Sequence, residues 1–281
     1  MNSDNKADKA KTAPPSLPGY ARLPINRCNL PPVILGSLSF QRHPVALAID
    51  GVRPLHKQLF DLLDGLETHA QRAERFMDYM VVQFRLHRLE DAGLGEDGAR
   101  GKANYLRLIL GWLFNPDGRE AAVLKGWVES RFGLLPRHHH GPLLDYENDT
   151  YQGYLAARAE GLYGTNALEA QLDLLYSYSQ YELARLYAPD ERLHLYRGIN
   201  RLDCFDILAQ TDKHHATVLL NNLNSFSCDR ERAGEFGDTL MEADIPWQKV
   251  FYYSQLFPGM SIGEDEYLVI GGVYEVQTAY W

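Results

Sequence analysis

Cysteine is nearly missing from this chain: Cys28, Cys204 and Cys228 are all that its 281 residues contain. Three scattered thiols supply neither a disulfide framework nor the ligand spacing of a zinc site, so a reducing compartment is the simpler setting. Positive charge is also short, with 28 Lys and Arg against 37 Asp and Glu and a net charge of −9. That balance gives no reason to expect a nucleic-acid partner. No run approaches the ~18 apolar residues that a membrane span requires. The stretch from Met1 to Ser16 is polar, carries Lys6, Lys9 and Lys11, and lacks the hydrophobic region of a signal peptide. The expectation is a cytoplasmic protein with no membrane span. Its 45% hydrophobic content is ordinary for a globular chain.

The pattern of apolar residues divides the chain in two. Residues 1–18 read as a disordered tail and 19–281 as a single domain. The next stretch, with Pro24, Pro31, Pro32 and Pro44, reads as irregular and laid over the surface. Helical spacing then dominates over about 54–188: Pro54–Leu63, Glu67–Leu89, Tyr105–Phe114, Glu120–Phe132 and Ala167–Tyr187. The pair in the middle is separated by Asn115-Pro116-Asp117-Gly118, a strong turn. After Pro189 the period changes. Leu193–Arg197, Thr217–Leu220, Lys249–Tyr253, Tyr267–Ile270 and Val273–Gln277 carry strand character. Helices first and strands last argue an α+β fold, with a helical N-terminal half packed on a strand-rich C-terminal part over about 189–281.

Three motifs invite functional readings that their context weakens. Gly93-Leu94-Gly95-Glu96-Asp97-Gly98 spells a dinucleotide fingerprint, but a helix precedes it and two carboxylates inside it repel pyrophosphate, so it reads as a helix-to-helix turn. His138-His139-His140 cannot aim three rings at one ion from a regular element, and reads as a polar loop with no metal. The tyrosines from Tyr151 to Tyr187 read mostly as helix-face core.

Three short segments in the last third fit together better: Leu195-Tyr196-Arg197-Gly198, Asn224-Ser225-Phe226-Ser227 and Gly263-Glu264-Asp265-Glu266. A guanidinium grips phosphate oxygens in a bidentate fork. A carboxylate stabilises the positive charge that grows on a ribose when its glycosidic bond breaks, and a serine hydroxyl can hold that carboxylate in place. If Glu264-Asp265-Glu266 is extended, Glu264 and Glu266 face the same way and Asp265 faces away. Together the set suits binding NAD and breaking its bond to nicotinamide.

In this order the segments resemble the arginine-serine-glutamate class of ADP-ribosyltransferases. Arg197 matches the arginine of the first core strand, Ser225 and Ser227 the Ser-x-Ser motif, and Glu264 with Glu266 the Glu-x-Glu motif. Phe226 departs from the threonine or serine usual between the two serines. The distance to Ala233 favours Ser225 over Ser227 as the functional one. Asn26–Pro31, Gly36–Gln41 and the tyrosine-rich segment before Arg197 narrow the resemblance to the dinitrogenase reductase ADP-ribosyltransferases of nitrogen-fixing bacteria, from about Leu23 onward.

That resemblance implies NAD as co-substrate, an arginine of the nitrogenase iron protein as acceptor, and a PII signalling protein as activator. It further implies that Arg197 and Gly198 bind NAD, and that Ser225 orients the nicotinamide ribose and Glu266. Glu266 would stabilise the oxocarbenium-like transition state, and Glu264 would position and deprotonate the acceptor guanidinium. The competing expectations are an NAD glycohydrolase, which uses water as acceptor and ignores Glu264, and a catalytically silent NAD-sensing protein.

Overall fold

The computed structural model describes residues 15–86, 103–163, 165, 167–260, 263 and 265–280. Among the described residues nine helices come first: α1 Pro32–Leu35, α2 Leu38–Arg42, α3 Val52–Leu55, α4 Lys57–Asp64, α5 His69–Gln83, α6 Tyr105–Phe114, α7 Arg119–Phe132, α8 Asp149–Leu162 and α9 Leu168–Leu186. The strands follow: β1 Arg192–Ile199, β2 Asp206–Gln210, β3 His215–Ser227, then a short helix α10 Arg230–Gly234, β4 Thr239–Pro246, β5 Val250–Tyr253 and β6 Glu266–Tyr280. The α+β expectation holds. Among the described residues, no helix is long and apolar enough to cross a membrane.

Helix α6 falls on the bounds its periodicity predicts, because Asn104 caps it, its side chain accepting the Arg107 N–H at 3.0 Å, and Asn115 ends it. A capping box between Thr68 and Gln71 starts α5, which stops at Gln83, short of the expected Leu89. The expected helix over Pro54–Leu63 is broken at His56 into α3 and α4. Helix α8 has no counterpart in the reading of the sequence, since its apolar residues trace no clear stripe and only Tyr154 and Gly161 are buried.

The proline-rich stretch does not lie over the surface. Leu17, Leu35, Leu38, Phe40, Leu47 and Ile49 are buried in the main core. Gln41 also bridges β4 and β6 just beyond their paired residues, donating to the carbonyls of Asp244 and Glu275, both at 3.1 Å. Prolines set the turns of this segment without removing its apolar side chains from the core. The segment His138-His139-His140 is a loop, as expected, with His138 and His140 exposed; His139 is 1% exposed, because its ring packs on Tyr154 and faces the Lys125 ammonium.

Among the described residues all strand pairings are antiparallel. The two runs expected over Tyr267–Ile270 and Val273–Gln277 are one strand, β6, which Gly271 and Gly272 cross without breaking. At Gly271 a Cβ would sit 1.7 Å from the Asn221 carbonyl oxygen of β3, so only glycine lets the strands close there. Strand β6 pairs with β3 along most of its length, with β5 near its start and with β4 at its end. Strand β1 pairs with β4 throughout but meets β3 at a single register position, Tyr196 opposite Ser227. β3, β1, β4 and β6 therefore form a closed circuit whose weakest seam lies between β1 and β3.

Helix α9 lies against the sheet beside β5, where the Tyr176 hydroxyl donates to the Gln248 carbonyl at 2.9 Å. Stacked rings of Phe76 and Tyr178, 4.0 Å apart at their centroids, join α5 to α9. Arg72 and Glu182 form a buried bidentate pair between the same helices, at 2.7 and 2.8 Å.

Lys249 is buried at the sheet and donates to the Gly271 carbonyl at 2.7 Å, between the rings of Phe40 and Tyr274. Burial pushes its ammonium down from 10.5 to about 7. In this direction the unfolded chain holds the extra proton, so stability rises as pH climbs from about 7 towards 10.5 and is lost below. Lys249→Met keeps the stem and removes the charge. We expect its melting temperature at pH 7 to exceed the wild-type value and to rise less between pH 7 and roughly pH 9, as thermal scans at the two values would register. A variant with an unchanged pH slope would show that Lys249 is not the titrating group.

Candidate active site

The site is built where the seam between β1 and β3 meets the start of β6. Arg197 sits near the end of β1, partly buried, and its Nη1 donates across the seam to the Ser225 carbonyl at 2.7 Å. Its Nε is buried without a partner. A guanidinium with one donor committed to the backbone and a buried N–H unmet retains capacity for an anionic ligand. Burial lowers its proton affinity, and the charge of Glu266 restores part of it.

Glu266 is the first residue of β6 and lies opposite Ser227 in register, with Ser225 opposite Leu268. Ser225 is thus a diagonal neighbour of Glu266 on the paired strands, close enough for its side chain to favour the ionised Glu266 carboxyl. Burial raises the Glu266 carboxyl above its ordinary value of 4.5, while the Ser225 hydrogen bond and the charges of Arg197 and Arg232 pull it back.

The two serines have different surroundings. Ser225 Oγ accepts the indole N–H of Trp112 at 2.8 Å. Ser227 Oγ accepts the Asp229 backbone N–H at 3.0 Å and so shapes the turn into α10. Asp229 then caps α10, accepting from Glu231 and Arg232 N–H groups at 2.8 and 3.2 Å.

Gly198 marks a close approach. A Cβ there would sit 2.1 Å from the Ala233 carbonyl oxygen of α10, and one at Gly237 would sit 2.4 Å from the Ile199 carbonyl. Both glycines let α10 and the following turn lie flat across β1, which brings Arg232 towards Glu266. Phe236, between them, is 72% exposed at the rim of the site.

The extended premise for the Glu-x-Glu motif fails at Asp265, whose φ of 54° is left-handed. Strand alternation therefore does not relate the two carboxylates. The Asp265 carbonyl accepts the Cys228 N–H at 3.1 Å, which ties the turn to the end of β3. Gly263, also left-handed at φ 69°, is tucked so close to the site that a Cβ would lie 3.4 Å from Glu266 Oε2. Glu264 lies outside the described residues, as does Gly93–Gly98.

Trp112 was not among the residues the sequence singled out. On the apolar helix α6 it reads as core, and at 3% exposure it is core; only its N–H reveals the link to Ser225. Beneath its ring lies Lys125 of α7, Nζ 5.6 Å from the centroid. That ammonium donates to the carbonyls of Pro116 and His138 at 2.7 and 2.9 Å and to Asp117 at 3.0 Å.

Against known proteins, the family model for dinitrogenase reductase ADP-ribosyltransferase (DRAT) matches residues 25–278. A protein of Rhodospirillum rubrum, NAD(+)--dinitrogen-reductase ADP-D-ribosyltransferase, is 38% identical over 260 residues, covering 91% of this chain and 94% of that protein. No solved structure matches.

Proposed function

Since the chain belongs to the dinitrogenase reductase ADP-ribosyltransferase family, whose enzymes take ADP-ribose from NAD, we propose that it transfers ADP-ribose to an arginine of the nitrogenase iron protein and so switches nitrogen fixation off. The observation that carries the residue roles is the convergence of Arg197, Ser225 and Glu266 from three strands at one seam. Arg197 holds the NAD pyrophosphate with the donors it has left. Gly198 leaves the backbone free of a side chain beside the nicotinamide. Glu266 stabilises the positive ribose as nicotinamide departs, held by Ser225. Ser227 supports this arrangement from the turn it shapes.

Glu264 is assigned the acceptor side. A guanidinium is normally protonated and a poor nucleophile, so a second carboxylate must orient it and take its proton. Glu264→Gln is expected to cut transfer to protein about 100-fold while leaving NAD hydrolysis within about threefold. Equal losses in the two assays would remove this division of labour. The resemblance of the N-terminal half supports a cytoplasmic setting and a PII signalling protein as activator.

The deciding experiment incubates labelled NAD with purified nitrogenase iron protein and the enzyme, with and without a PII protein. Label on an arginine of the iron protein supports the reading. Nicotinamide release without protein label, even with PII present, replaces it with a glycohydrolase.

A further inference from the structure

We propose that Trp112 is a positioning residue for the transfer reaction, acting by committing the Ser225 proton to Glu266. This rests on the roles assigned above to Ser225 and Glu266.

A serine hydroxyl has one hydrogen and two lone pairs and rotates to suit its neighbours. An indole N–H is a donor only. Its approach to Ser225 Oγ at 2.8 Å therefore fills a lone pair and cannot receive the serine's hydrogen. The carboxylate across the paired strands is Glu266, diagonal to Ser225 in register, and it is the acceptor to which the proposal assigns the serine's hydrogen. Without the indole, the hydroxyl is free to turn to other acceptors, and Glu266 loses a donor that keeps it ionised.

The indole is itself held. Helix α6 approaches α7 so closely that a Cβ on Gly111, the residue before Trp112, would lie 2.5 Å from the Glu120 side chain. The Lys125 ammonium under the ring is fixed by three oxygen acceptors, so the ring is clamped from its face while its edge points at Ser225. A donor already aligned in this way costs no reorganisation during the reaction. Helices α6 and α7 thus reach the proposed ribose-binding carboxylate through the Trp112 N–H, although neither contributes a residue to the three motifs.

The test compares wild type, Trp112→Phe, Ser225→Ala and the double variant by nicotinamide release across pH. A fifth protein carries β-(3-benzothienyl)alanine at position 112, which replaces only the N–H by sulfur and leaves the packing intact. Both position-112 replacements are expected to lower kcat about tenfold with KM for NAD within twofold, and to move the acid limb of kcat to higher pH. In the Ser225→Ala background the loss of the indole should add less than twofold. A wild-type kcat and acid limb in the benzothienyl protein would overturn the proposal, as would losses that multiply in the double variant. Ser225→Ala with wild-type activity, while position-112 replacements remain impaired, would show that Trp112 does not act through Ser225. Glu266→Ala with wild-type activity, by contrast, would bring down the underlying site.

Discussion

Glu266→Ala is expected to lose at least about a thousandfold in turnover, on protein labelling and nicotinamide release alike. In its proposed role the carboxylate meets charge that exists only as the glycosidic bond breaks, so the loss should fall on kcat, with NAD affinity largely kept. The pH profile carries the same assignment. Burial holds the Glu266 carboxyl above 4.5, so the acid limb of kcat should lie above the ordinary carboxylate range. Losing the Ser225 donor should move it higher still. The linkage has the opposite sense for folding. A carboxyl raised in the folded state contributes stability below its unfolded value and loses it as pH rises through the folded one. Glu266→Gln should accordingly be inactive with a melting temperature at neutral pH equal to or above wild type. An inactive variant that also melts early would mean that the residue supports the fold and would remove its catalytic assignment.

Asp173→Ala should be the most damaging single change to stability, about 3–5 kcal/mol. Asp173 on α9 accepts two hydrogen bonds from Arg131 at 2.7 and 3.0 Å and one from the Trp127 indole at 2.7 Å, all in the interior. Alanine leaves a buried guanidinium and a buried N–H without that partner. Glu169, 3.3 Å from Arg131, has a side chain 36% exposed and replaces little of the loss. The melting temperature should fall on the order of 10 °C. Asp173→Asn, which preserves the shape and one acceptor oxygen, should fall between. A shift of under about 2 °C for Asp173→Ala would show that the pair only offsets its own desolvation. The consequence would reach beyond α9, because the Arg131 carbonyl receives the Arg27 N–H at 3.1 Å and so anchors the N-terminal segment.

The segments that meet at the proposed site were legible in the sequence because they are short and chemically distinctive: an arginine and a glycine in a strand, a serine pair, a carboxylate where a loop becomes a strand. Helix α6 was legible because both its caps are written in asparagine. What escaped were properties of packing between distant segments. Trp112 looks like any core aromatic, and His139 like any loop histidine, until α7 is placed beside them. Strand β4 was missed because Glu242 and Asp244 interrupt its apolar character; their side chains meet His194 at 3.5 and 2.9 Å, a contact invisible along the chain. The handedness at Asp265 was equally hidden, since left-handed backbone is announced by glycine and only rarely by aspartate.

The seam between β1 and β3, held at one register position and bridged by Arg197, has a consequence for how the enzyme fails. The contacts described at the proposed site join residues far apart in sequence: Trp112 with Ser225, Arg197 with Ser225, and Ser225 diagonally across from Glu266. Such contacts carry the full entropic cost of closing long loops, and no local fragment preserves any of them. Damage that opens the sheet or detaches α6 is therefore expected to disperse the proposed site as a whole, so that a half-unfolded copy would not go on cleaving NAD.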